Sequence, residues 1–181
     1  MRRYSEGTIV SLTVALGLLV VTTATPSAAA TQTSYSASFP QEQTVQQNCP
    51  PGVPPGSFCF AGSDNSGSGT STPPGGSATE SFAGFVDFSS TGTCPDGTTG
   101  FRDRNAVTIG TSAGQLVVTT DGLDCPSLGT EDGTWQVVRG TGIFGGATGS
   151  GTVRSQSTGG AATQTNPIRS LSTYSGTLTL N

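Results

Sequence analysis

The sequence predicts an all-β protein, a small closed antiparallel barrel of about eight strands stapled by disulfides, and three observations predict it. No segment beyond residue 30 sustains a helical apolar period. Short runs alternate apolar and polar residues instead, and Gly, Pro, Asp and Asn separate them. Four cysteines stand behind a segment that reads as an export signal, which favours disulfides over free thiols. Large apolar residues are scarce, so one shared interior is more plausible than two layers each burying a full face. Closure also removes the exposed edges that an open sheet must protect. A β-sandwich is the alternative.

Taken in order, residues 1–30 carry the marks of a signal peptide. Arg2 and Arg3 give a positive start, Ile9 to Val21 is mostly apolar, and Ala28-Ala29-Ala30 offers a small-residue cleavage site. The apolar stretch is too short for a spanning helix, which needs about 20 residues. Residues 31–181 then form a single secreted, extracellular domain with no stable membrane insertion after cleavage. Strands are expected near 33–39, 57–62, 78–90, 99–110, 115–121, 133–140, 150–156 and 170–180, with a mobile Gly/Ser/Pro-rich loop at 62–77. The cysteines allow three pairings. Cys49 and Cys59 bracket a Pro/Gly loop, and Cys94 and Cys125 flank two strand-like runs joined by a turn, so 49–59 and 94–125 are the expected bonds. A zinc site fails on spacing, and no other metal set is assigned.

What the chain lacks excludes whole classes of chemistry. It contains no histidine and no lysine; all seven basic residues are arginines. A histidine-dependent hydrolase is therefore excluded, as are Schiff-base and P-loop lysine mechanisms. Beyond residue 30, five arginines face ten Asp and Glu. Nucleic acid, which requires clustered cations, is not an expected partner. Three motif matches fail on context. Gly110-Thr111-Ser112-Ala113-Gly114 fits G-x-S-x-G but joins two strands. Gly140 to Gly145 fits G-x-G-x-x-G with no helix and no later acid. Asp64 to Gly69 has serines where calcium-binding carboxylates belong. No cofactor is expected.

A more specific pattern lies near the end of the chain. Val137 to Val153, VVRGTGIFGGATGSGTV, is followed by Thr173-Tyr174-Ser175-Gly176-Thr177-Leu178-Thr179-Leu180. With Cys49 to Phe60, CPPGVPPGSFCF, this resembles secreted bacterial proteins with an allene oxide cyclase-like, or dirigent-like, β-barrel. The resemblance spans most of the chain after the signal. It implies a barrel in which the Gly-rich segment forms a short helical plug with Phe144 packed into the barrel end. Known members include a cyclase and proteins that steer radical coupling, but no catalytic motif of the cyclase matches this chain.

Alternation assigns an inner face. Phe101, Asp103, Asn105, Val107 and Ile109 share one side of their strand, as do Trp135, Val137 and Arg139, then Tyr174, Gly176, Leu178 and Leu180, and Phe82, Val86 and Phe88. Asp103, Asn105, Trp135, Arg139 and Tyr174 are therefore the candidate ligand-binding lining. A buried charge is costly unless paired, so Asp103 and Arg139 are expected to meet each other or other polar groups. The preferred reading is an ion pair closing a filled core, and the alternative is a ligand pocket. Asp121, Asp124, Glu131 and Asp132 read as a solvated loop face, with calcium as the alternative. The function expected is a secreted non-catalytic module that binds a small, apolar ligand or acts through its surface. A cofactor-free cyclase or isomerase is the enzymatic alternative. The sequence fixes neither oligomeric state nor ligand.

Overall fold

The computed structural model describes residues 30–64, 66–160 and 166–181. Of the expected signal segment, residues 1–30, all but Ala30 fall outside them. Among the described residues, no helix is long and apolar enough to cross a membrane. Among the described residues nine strands form one antiparallel sheet: β1 (Thr31–Val45), β2 (Phe58–Ser63), β3 (Thr70–Thr72), β4 (Ala78–Thr93), β5 (Thr99–Thr111), β6 (Gly114–Cys125), β7 (Thr130–Gly140), β8 (Thr148–Gly159) and β9 (Ile168–Leu180). Successive pairings run β2-β4-β5-β6-β7-β8-β9-β1, and β2 also pairs with β1. Eight strands thus close into a ring, and the open sandwich is set aside. The expected loop at 62–77 supplies the ninth strand, because Thr70–Thr72 pairs with Ser36–Ser38 of β1. Beside it the Asp64 carboxylate accepts backbone N–H groups of Ser66, Gly67 and Gly69.

Both disulfides form as expected, Cys49–Cys59 and Cys94–Cys125. The second crosses the base of the β5–β6 hairpin. Alternation along β5 holds from Arg102 to Ile109: Asp103, Val107 and Ile109 are buried, while Arg102 and Arg104 are exposed.

One half of the barrel is filled. A single 3₁₀ turn, Gly142–Phe144, follows β7 and places Phe144 in the core. Its Ile143 N–H donates to Ala113 O at 3.0 Å, which holds the plug against the β5–β6 turn. Phe144, Ile109, Leu116 and Leu178 are fully buried around it. Trp135 extends this core over two glycines: a Cβ at Gly151 or Gly176 would stand 2.7 Å from the indole. Its Nε1 donates to Ser175 O at 3.1 Å, and its ring meets Tyr35 edge-on at 5.4 Å. Burying large side chains of this kind supplies about 1.5–3 kcal/mol each.

Arg139 does not join them. On β7, Val137 pairs with Val118 but Arg139 pairs with Val117, so Val138 is an extra residue. Such a bulge reverses the facing of everything beyond it. Arg139 is exposed, and the expected inward Arg139 is corrected accordingly.

Candidate functional site

The other half of the barrel is hollow. A cavity of about 490 Å³ opens where β6 turns into β7 and where β8 leaves the sheet. The expected filled core is therefore true of only one end. The volume is within the range of small-molecule pockets, about 300–1,000 Å³.

The wall changes character around the ring. Phe58 and Phe60 on β2, with Phe82, Val86 and Phe88 on β4, make an apolar arc. Phe88 is 49% exposed at the rim and packs edge-on against Phe101 at 5.0 Å. The next three strands make an acidic arc, with Asp103 on β5, Asp124 on β6 and Glu131 on β7. Ser155 on β8 and Ser172 on β9 continue the wall with hydroxyls 2.6 Å apart. Tyr174 and Gln41 complete it.

Register explains the acidic arc. Asp124 stands directly opposite Glu131 across β6–β7, and Asp103 stands opposite Gly122, two residues from Asp124. Side chains in such direct pairs lie about 4.5–5.5 Å apart at Cβ. Gly122 leaves the gap that Glu131 fills: a Cβ there would stand 2.7 Å from Glu131 Oε1. The Glu131 carboxyl thus folds across β6 toward Asp103. Asn105 Nδ2 donates to Asp103 Oδ1 at 2.7 Å and to Thr120 Oγ1 at 3.1 Å. Glu131 Oε1 and Asn105 Oδ1 are buried with no hydrogen-bond partner.

Burial and mutual repulsion set the protonation of these groups. Asp103 is held well above the usual carboxylate range by burial and then by the charges of Glu131 and Asp124. Burial, then the charge of Asp124, raises Glu131 to about 7. Burial alone raises Asp124. Behind the wall, Glu80 accepts from Tyr174 Oη at 2.5 Å and from Gln41 Nε2, and burial raises it to about 7. The Tyr174 hydroxyl is pushed well above its ordinary value by burial and by Glu80.

Of the five candidate lining residues, the cavity brings together Asp103, Asn105 and Tyr174. Trp135 belongs to the filled half, and Arg139 faces outward; Asp103 has Asn105 as its hydrogen-bond partner instead. The supposed solvated acidic face divides by strand alternation. Asp121 and Asp132 point outward to Arg102 and Arg154, while Asp124 and Glu131 face the cavity. Glu80 was not among the residues singled out in the sequence, although it shares the side of Ala78 and Phe82 on β4.

Comparison with known proteins adds no relative: no family model, curated protein or solved structure matches the chain.

Proposed function

We propose that this protein is a secreted, non-catalytic barrel module that holds one small, largely apolar molecule in its open half. The cavity carries the reading: one end of a disulfide-stapled barrel is packed solid while the other keeps an aromatic arc and a few oriented polar groups around empty space. Its resemblance to allene oxide cyclase-like, dirigent-like barrels supports a barrel built around a small molecule. Two disulfides and the signal-like start of the chain support export. The five arginines beyond residue 30 are all exposed and four of them pair with acids, which leaves no cationic stripe for nucleic acid.

Neighbouring residues on β9 provide the test. Ser172 is buried and lines the cavity, whereas Thr173 is exposed on the opposite face. The neutral fluorophore N-phenylnaphthylamine is expected to bind one per barrel. Ser172→Phe should abolish its fluorescence gain and Thr173→Phe should leave it intact. Equal binding by the two variants would move the site to the outer surface and overturn the proposal.

A second reading, a cofactor-free isomerase, is favoured by one contact. Tyr174 lines the cavity and bonds to Glu80, a carboxyl raised to about 7, so the pair can exchange a proton with a bound molecule near neutral pH. Conversion of a ligand recovered from the native secreted protein, lost in Tyr174→Phe, would select this reading.

A further inference from the structure

Building on the carrier reading, we propose that the molecule held in the barrel is a cation, an organic amine whose ammonium group sits against Asp103, Asp124 and Glu131 while its apolar body lies on the aromatic arc. The cavity is chemically polarised. Three carboxyls occupy adjacent strands on one side, and no arginine is among the residues lining it. In ring order β2 and β7 stand four strands apart, so Phe58 and Phe60 face Glu131 across the barrel. An amine with a short apolar body matches that separation of charge and aromatic surface, and phenyl faces also attract a cation.

The acidic residues are not balanced from within. Asp103 is only 6% exposed, and among the described residues its hydrogen bond comes from Asn105 and reaches Oδ1. Glu131 takes a hydrogen bond from Ser155, but its Oε1 is a buried acceptor that no donor among the described residues reaches. A buried acceptor without a donor is costly, and like charges directly opposed across strands destabilise a sheet further. An ammonium group supplies three donors and a positive charge to this region. A metal ion is the weaker fit, because among the described residues no three His, Cys, Asp or Glu side chains come close enough together to coordinate one, whereas an ammonium group needs only a pairing with one or two carboxylates.

Loading is coupled to protons. Asp103, Asp124 and Glu131 face the ammonium position from β5, β6 and β7; Tyr174 lines the cavity from β9 with Glu80 behind it on β4, and Asp121 and Asp132 lie outside the wall. Each cavity carboxyl that is protonated in the empty barrel gives its proton to solvent when it pairs with the cation. Amine affinity therefore rises with pH across the range in which these groups ionise.

The test uses three molecules of one skeleton, tryptamine, tryptophol and indole-acetate, competing with N-phenylnaphthylamine in the folded, oxidised protein. At about pH 8, tryptamine should bind at least about tenfold tighter than tryptophol, and the gap should close toward about pH 5. Asp103→Asn with Glu131→Gln should erase the gap and leave tryptophol binding in place; Asp124→Asn should narrow it. If tryptophol or indole-acetate competes as well as tryptamine, the charge assignment is overturned while the carrier reading stands. The charge assignment is likewise overturned if the fluorophore binds and none of the three displaces it. If the fluorophore itself does not bind, the carrier reading falls.

Discussion

Glu80 is enclosed between Tyr174 and Gln41, and what happens at its two oxygens determines much of the chemistry of the interior. Replacing Tyr174 by Phe removes one donor and nothing else from the shape of the site. The carboxyl is then left with Gln41, and its ionised form becomes harder to reach. We expect Tyr174→Phe to cost about 1–3 kcal/mol, the penalty for a buried group that loses a partner. Urea denaturation at neutral pH would measure it. An unchanged midpoint would mean that the hydroxyl contributes nothing to folding. Glu80 also shows how residue chemistry can mislead. Strand alternation places it on the side of Phe82, and the inner-face reading of that strand named only the apolar Phe82, Val86 and Phe88.

At the scale of elements, the Cys94–Cys125 bond ties the end of β4 to the end of β6, next to the rim of the cavity where Asp124 and Pro126 stand. It closes a 31-residue separation. A loop of that length loses about 3–4 kcal/mol of unfolded-state entropy through the cross-link. Cys94→Ala with Cys125→Ala should lower the thermal midpoint by that much stability and loosen the rim, read as faster amide exchange in Thr130 and Glu131. Equal exchange in both forms would show that the β6–β7 pairing holds the rim unaided. These pairings were legible in the sequence because turn residues mark where chains double back. So was the inner face of β5, where five alternate residues agree. The outward turn of Arg139 was not, because nothing in Val137-Val138-Arg139 announces a bulge; it arises from how β7 registers on β6. Asp124 and Glu131 were misplaced for a related reason. The strands continue past their apolar residues to a short turn, Pro126 to Gly129, and carry both acids into the barrel. The short β3 was missed as well, since Thr70-Ser71-Thr72 has no alternation to read.

For the whole molecule, the arrangement of charge makes an unusual dependence on pH. The arginines beyond residue 30 lie outside, and several acids lie within. Burial pushes Glu80 and Glu131 up to about 7 in the folded barrel, against about 4.5 when unperturbed, and holds Asp103 well above its own ordinary value. Between those values the folded chain retains protons that the unfolded chain has released. Stability must then fall as pH rises through that window. Glu80 alone, at about 1.4 kcal/mol per unit, contributes about 3 kcal/mol of this loss. The empty protein should melt about 5–10 °C higher near pH 5 than near pH 8. Glu80→Gln should shrink the difference by stabilising the high-pH form. At lower pH the sign reverses, because Asp96 is held below its ordinary value by hydrogen bonds from Thr98 and Ser127, and protonation removes that support. Calorimetric scans across this range decide the matter: a midpoint that rises steadily from about pH 5 to about pH 8 would show that the interior acids are ionised and solvated in the folded state.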